Sequence, residues 1–162
     1  MLKFIGILLI IISSFSVGWY FSFRLKLRYE FLLSFRDFIS TLETNIRYNS
    51  GEIIPLIKSS APKSISKFFM KDDVNNFSAY WSECIENIPQ LYALKNEDYN
   101  LMFEFGRMLG TTDIEGQLNH INLYKELIKS NLDNSELELK QKSKLSKLLG
   151  LFAGLAAALL LI

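Results

Sequence analysis

Phe4-Ile-Gly-Ile-Leu-Leu-Ile-Ile-Ile-Ser-Ser-Phe-Ser-Val-Gly-Trp-Tyr-Phe-Ser-Phe23 decides how the rest of the chain is read, because it holds 20 consecutive residues without a charge. A helix rises about 1.5 Å per residue, so this stretch covers the ~30 Å hydrocarbon core of a bilayer. Trp19, Tyr20 and Phe21 stand at its C-terminal end, where aromatic rings favour the headgroup region, and Arg24, Lys26 and Arg28 follow at once. The competing reading is a cleaved signal peptide, with Lys3 as its basic start and Ser14-Phe15-Ser16 as a small-residue cleavage site. Signal peptides carry their positive charge mainly before the apolar run, whereas the heavier cluster here comes after it, which favours a retained anchor.

Working outward to the other end, Leu148 to Ile162 forms a second uncharged run of 15 residues. Such a length alone also suits a buried core helix. It is entered, however, through Lys140, Lys142, Lys144 and Lys147, whose long side chains can snorkel to an interface, and no soluble core offers itself to it. With basic clusters on the inner flanks of both runs, the positive-inside rule places the middle of the chain in the cytoplasm. Gly150, Gly154 and Ala158 make a stripe of small residues, as do Ser14 and Gly18 in the first run, so the two anchors are candidates to pack together. The expected organisation is an anchor over 1–23, a cytoplasmic domain over 24–147 and an anchor over 148–162.

The middle is read apart from the ends. All 17 acidic residues fall between Glu30 and Glu138, and all the basic residues but Lys3 lie between Arg24 and Lys147, so the charges balance there. That balance gives no reason to expect binding to a phosphate backbone, and nucleic acid is excluded as an expected partner. One cysteine, Cys84, makes no internal disulfide, and one histidine, His120, cannot complete a zinc site with it.

Apolar positions Phe31, Phe35, Phe38, Leu42 and Ile46 recur at steps of three and four, and neither proline nor glycine interrupts Arg24 to Ser50. A long first helix is expected there, ending at Gly51. Two short helices follow, one over Ile53 to Ile57 and one restarting after Pro62. Beyond a polar stretch, Lys71 to Asn76, the residues Phe77, Tyr80, Trp81, Cys84, Ile85 and Ile88 share one helical face before Pro89. Asn96 is the expected N-cap of a helix that Gly110 ends. Thr112 and Glu115 have capping-box spacing, so the last helix starts near Asp113; it either runs on into the second anchor or breaks or kinks at Asp133-Asn134-Ser135. No alternating run suggests a strand, and the chain reads as all-α: a six-helix bundle flanked by two transmembrane helices.

No Gly-rich phosphate loop, nucleophile elbow or Cys-x-x-Cys pair occurs, so no catalytic residues, cofactor or metal site are expected. His120, with Asp113 and Glu115 near it in sequence, is read as a boundary residue of an amphipathic helix rather than a base.

Two segments carry a family resemblance. Phe105-Gly-Arg-Met-Leu-Gly-Thr-Thr-Asp-Ile-Glu-Gly-Gln117 resembles the F-G-x-x-L-G-x-[ST]-D-x-x-x-Q signature of the stage III sporulation protein AB family, and Leu42-Glu-Thr-Asn-Ile-Arg-Tyr48 resembles that family's L-E-x-x-I-x-Y helix end, followed by the Pro55-Leu56 pair. The Tyr80-Trp81 helix and both apolar ends also fall where that family has them. Gly51-Glu-Ile-Ile54 departs from the pattern, since the family carries a threonine and proline nearer the tyrosine.

The resemblance implies a membrane subunit of the sporulation channel between mother cell and forespore. Proteins of that family are similar to the platform proteins of type II secretion F, whose six-helix cytoplasmic domains contact a secretion-type ATPase. The implied partners are the companion ATPase, stage III sporulation protein AA, other membrane subunits of the same complex, and membrane lipid. The implied location is the cell membrane, with the bulk of the chain on the mother-cell side. Gly106, Gly110, Thr112 and Asp113 read as architectural: a close helix contact, a C-cap and an N-cap. Glu43, Arg47, Tyr48, Arg107, Gln117 and His120 are the polar candidates for partner contact, with pairing across the bundle as the alternative for Glu43. A rival reading from another class is a membrane-anchored regulator or sensor that binds a small ligand between its helices.

Overall fold

A computed structural model of the chain describes residues 2–49, 52–69 and 76–160; the expected break at Gly51, the polar stretch from Lys71 to Asn75 and the last two residues lie outside these. The described residues form five α-helices and no strand: α1 (Leu2–Tyr48), α2 (Ile53–Ser60), α3 (Phe77–Glu86), α4 (Asn96–Met108) and α5 (Ile114–Leu160), with short 3-10 helices at Ser66–Phe69 and Gln90–Tyr92.

Two helices of 47 residues, α1 and α5, define the shape. Each runs unbroken from the expected anchor into the expected domain, a length of ~70 Å at 1.5 Å per residue. Neither contains a proline, so nothing in the backbone interrupts the hydrogen-bond ladder. The candidate break at Asp133-Asn134-Ser135 does not occur: Ser135 is buried and its Oγ donates to the Leu132 carbonyl at 2.7 Å, within the helix.

At one end the two helices are both apolar, and small residues set how closely they pair. A Cβ on Gly18 would lie 2.4 Å from the Ser146 carbonyl oxygen, and one on Gly150 would lie 2.8 Å from that of Ser14. Ser14 Oγ donates across the pair to the Gly150 carbonyl at 2.6 Å, and the Ser22 and Ser143 hydroxyls meet at 2.5 Å. This is the small-residue contact expected of helices that associate where the hydrophobic effect supplies no drive. Both helices carry windows apolar enough to cross a membrane, with mean hydropathies of 1.9 and 1.5, and only 11% of each window is buried. The core helix of a water-soluble protein would bury most of such a window. Both are therefore candidate membrane spans.

At the other end α1 and α5 diverge to admit the short helices. Phe31, Leu32, Phe35, Phe38, Ile39, Leu42 and Ile46 are all buried, the expected apolar stripe of α1. Trp81 of α3 sits at the centre of an aromatic cluster: its ring stacks on Phe69 at 5.4 Å and on Phe38 at 6.2 Å, with Phe105 at 5.8 Å. Its Nε1 donates to the Met102 carbonyl at 2.8 Å, so the buried indole leaves no donor unpaired. Asn76 caps α3 by accepting from Ser78 N at 2.9 Å.

The bundle differs from the six helices expected at one place. After Pro62 there is no α-helix but a tightened turn, in which the Pro62 carbonyl accepts from both Ile65 N (3.0 Å) and Ser66 N (2.8 Å), leading into Ser66–Phe69. The segment offers only Ile65, Phe68 and Phe69 to the core, and the short 3-10 turn suffices to bury Ile65 and Phe69. Asn96 is the first residue of α4 rather than its cap, and Asp98 in the first turn accepts from Lys95 N at 2.8 Å.

Candidate functional site

The two segments that carry the sequence resemblance are more than fifty residues apart, yet the fold brings them to one place. The end of α1, the start of α2 and the turn between α4 and α5 form the tip of the bundle, at the pole opposite the apolar hairpin. Gly110 makes the turn with φ +76°, a left-handed conformation that an L side chain adopts only under strain. Asp113 Oδ1 then accepts from Gly116 N at 3.0 Å and caps α5. Thr112 is not the cap, as its spacing with Glu115 had suggested; its backbone carbonyl accepts from Gln117 Nε2 at 2.9 Å.

Between these elements lies an open cleft of about 300 Å³, walled by Ile46, Ile53, Leu56 and Ile114, with Asn49 and Gln117 as its polar groups. Of the polar candidates only Gln117 is among its lining residues. Glu43 receives a Lys125 ammonium from α5 at 2.7 Å and Arg47 at 3.2 Å, so it ties α1 to α5 across the bundle. The Lys125 hydrogen bond, chiefly, holds the Glu43 carboxyl below its ordinary range despite its burial, with Arg47 adding to the effect. Tyr48 is 77% exposed and projects from the end of α1. Arg107 is also largely exposed; it pairs with Glu104 of the same helix at 2.8 Å and lines a separate pocket with Ser78 and Ser82 of α3.

Two more of the candidate residues, His120 and the signature glycine Gly106, face inward. His120 Nε2 lies 2.9 Å from the Phe105 carbonyl, and its ring stacks on Phe105 at 5.7 Å and 12°. The last turn of α4 is tightened, with Leu109 N donating to Gly106 O, and His120 takes up a carbonyl near that helix end. Gly106 lies flat against the Trp81 indole: a Cβ there would sit 2.1 Å from Cδ1 and Nε1. The close contact expected at this glycine is thus to a side chain of α3.

A second polar assembly, not singled out from the sequence, lies where the bundle meets the apolar hairpin. Arg28 is buried and forks onto Asp98, also buried, through Nε at 2.8 Å and Nη2 at 3.1 Å, while its Nη1 reaches Glu138 at 3.0 Å. Asn131 donates to Asp98 Oδ1 at 3.0 Å, and Lys95 and Lys142 close on Glu138 at 2.9 and 2.8 Å. Hydrogen bonds from Lys142 and then Lys95 bring the Glu138 carboxyl down to about 2. The network fastens α4 to both long helices at the level where they leave the apolar segment. Its sequence signal was available: Arg28 lies three and seven residues before Phe31 and Phe35, on the core stripe of α1, and Asp98 lies four and seven residues before Met102 and Phe105, on the core stripe of α4.

Among the described residues no group of three or more His, Cys, Asp or Glu side chains is placed to hold a metal ion. The carboxylates that do gather are held by cations. What the tip can do chemically is present an open apolar seat rimmed by the Asn49 and Gln117 amides.

A family-wide sequence profile described as Stage III sporulation protein AB matches residues 3–162. The chain belongs to the stage III sporulation protein AB family. It is similar to Stage III sporulation protein AB of Bacillus subtilis (strain 168), at 25% identity over 170 aligned positions that take in 99% of both chains. No solved structure matches the fold. Family membership gives the chain a role in sporulation, and the signature segments quoted from the sequence are those that meet at the tip.

Proposed function

We propose that this AB-family protein is a membrane platform of the sporulation channel between mother cell and forespore, and that it docks a secretion-type ATPase through the tip. In this reading residues 1–23 and 148–162 lie in the membrane, and residues 24–147 form the cytoplasmic body on the mother-cell side. The observation that carries it is the convergence of Leu42–Tyr48 and Phe105–Gln117 on one open cleft at the pole farthest from the apolar hairpin. An apolar seat with a polar rim is the anatomy of a protein contact, and a pole held away from the bilayer is where a soluble ATPase can reach it. Tyr48 and Arg107 are of the residue types that anchor interfaces, and both are exposed, Tyr48 at the end of α1 and Arg107 on the α3 side of α4. The role is mechanical: the chain holds a partner against the membrane and hydrolyses nothing itself.

The test is affinity capture of tagged full-length protein from sporulating cells, with Tyr48→Ala and Arg107→Glu alongside. Copurification of the companion ATPase, stage III sporulation protein AA, with wild type and its loss with the tip variants, is expected. Absence of the ATPase from the wild-type eluate would remove the reading. Saturable binding of a small metabolite in the same cleft would favour the rival, a ligand-binding regulator.

A further inference from the structure

Away from the tip, a second cleft of about 290 Å³ opens at the junction where α1 and α5 leave the apolar segment. Its apolar wall is Phe21 and Leu25 of α1, and its floor is the Ala93 to Lys95 loop that enters α4. Four cations line it, Arg24, Arg28, Lys95 and Lys142, against the single carboxylate Glu138. Arg28 is further neutralised by Asp98 behind it, and Lys95 and Lys142 share Glu138 between them. Positive charge therefore remains in excess in the cleft.

Arg24 is the group left with bonding capacity. Its Nη2 donates to the Gln90 carbonyl at 3.0 Å and its guanidinium lies 5.9 Å from the centre of the Tyr20 ring, but its Nε is buried and has no hydrogen-bond acceptor. A guanidinium N–H buried without a partner costs the full desolvation of the donor, and a bound anion would supply the missing acceptor. The adjoining cleft on the other side of Arg24 contains Glu86, which makes no bond to that Nε.

We propose that this cleft seats the phosphate of one anionic phospholipid. The phosphate oxygens accept from the Arg24 guanidinium, which must turn its buried Nε out toward the cleft, and from the Lys95 and Lys142 ammoniums, and an acyl chain descends along the exposed Phe21 ring. A soluble phosphate ester offers the same anion, but the apolar wall on the side of the hairpin is surface that only a lipid covers. The site depends on the hairpin lying in a bilayer, and it shares no residue with the proposed ATPase contact at the tip, so either can fail alone. A seated lipid would fix the depth at which the rigid α1–α5 pair leaves the membrane, and hence how far the tip stands from it.

The experiment is native mass spectrometry and thermal unfolding of the full-length chain in a non-ionic detergent, with phosphatidylglycerol, phosphatidylcholine or inorganic phosphate added. One phosphatidylglycerol is expected to be retained in preference to phosphatidylcholine, with a rise in melting temperature that inorganic phosphate does not reproduce. Arg24→Gln should cut that preference by about five-fold, the usual worth of one basic residue at an anionic surface. Lys26→Gln, which alters an exposed lysine of the same helix that pairs with Glu30, should leave it unchanged. If Arg24→Gln lacks a cooperative transition, Arg24→Lys is read instead, and it too should weaken retention, because it keeps the charge and moves the donor. Equal retention of the two lipids, an equal response to inorganic phosphate, or equal losses in the Arg24 and Lys26 variants would each overturn the proposal.

Discussion

Gly106→Ala sets two known effects against each other, and the structure says which wins. In a helix, alanine is favoured over glycine by up to about 1 kcal/mol, so a glycine of α4 facing open space would be improved by the change. Gly106 does not face open space. The new methyl would lie 2.1 Å from two atoms of the Trp81 indole and 2.3 Å from a third. That ring is a rigid plane, packed against the mutually stacked Phe38 and Phe69 and hydrogen-bonded to Met102 O, so its cluster holds it in place. Overpacking of this kind costs about 1–3 kcal/mol, and dragging the indole off its carbonyl leaves a buried donor unpaired at about 1–3 kcal/mol more. The net expectation is a loss of about 3 kcal/mol, with the helix-propensity gain offsetting only part of the strain. Denaturant unfolding of the full-length chain in detergent, followed by circular dichroism, measures the loss. Trp81 fluorescence in a Trp19→Phe background reports the ring itself, since the chain has 2 tryptophans. A variant more stable than wild type by about 1 kcal/mol, with unaltered Trp81 emission, would refute the packing argument.

Asp98→Ala removes the buried partner of Arg28, leaves that guanidinium with Glu138 alone, and should cost about 3–5 kcal/mol in the same unfolding assay; a loss below 1 kcal/mol would show that the network is solvated. Asp113→Ala deletes the α5 cap and should lower stability by about 0.5–2 kcal/mol, whereas Thr112→Ala, whose carbonyl does the bonding, should change it less; the reverse order would place the cap at Thr112. Glu138 is held below its ordinary value of 4.5, at about 2, so its contribution of ~3 kcal/mol is present above about pH 4.5 and disappears as pH falls toward 2. Melting temperature should therefore drop through that window, and Glu138→Gln should flatten the drop; an unchanged acid limb in the variant would assign the loss elsewhere.

The α1 stripe from Phe31 to Ile46, the α3 face around Trp81 and the small-residue pairing of the apolar ends were legible in the sequence because each is a periodicity within one segment. Helix continuity was not. Charges such as Arg24 and Lys147 mark where a bilayer would end, but they do not end a helix, and α1 and α5 run straight through them. The Ile53 and Leu56 side of the tip cleft escaped notice because a short helix after a loop has no register that sequence alone can dock. Within its own segment Arg28 reads as an inner-flank cation, and nothing local sets Glu138 apart from the other acidic residues of the middle. Only the tertiary fold, which closes separations of 70 and 110 residues, joins Arg28 to Asp98 and Glu138.

The platform account stands most directly on who touches the tip in sporulating cells. A photo-crosslinking residue placed at Tyr48, and separately at the exposed Leu145 toward the apolar end of α5 as a comparison, reads this in place. The account predicts a covalent adduct between the Tyr48 position and the companion ATPase, with none from Leu145. Adducts to the ATPase from Leu145 alone, or from neither position while both proteins are present, would contradict it.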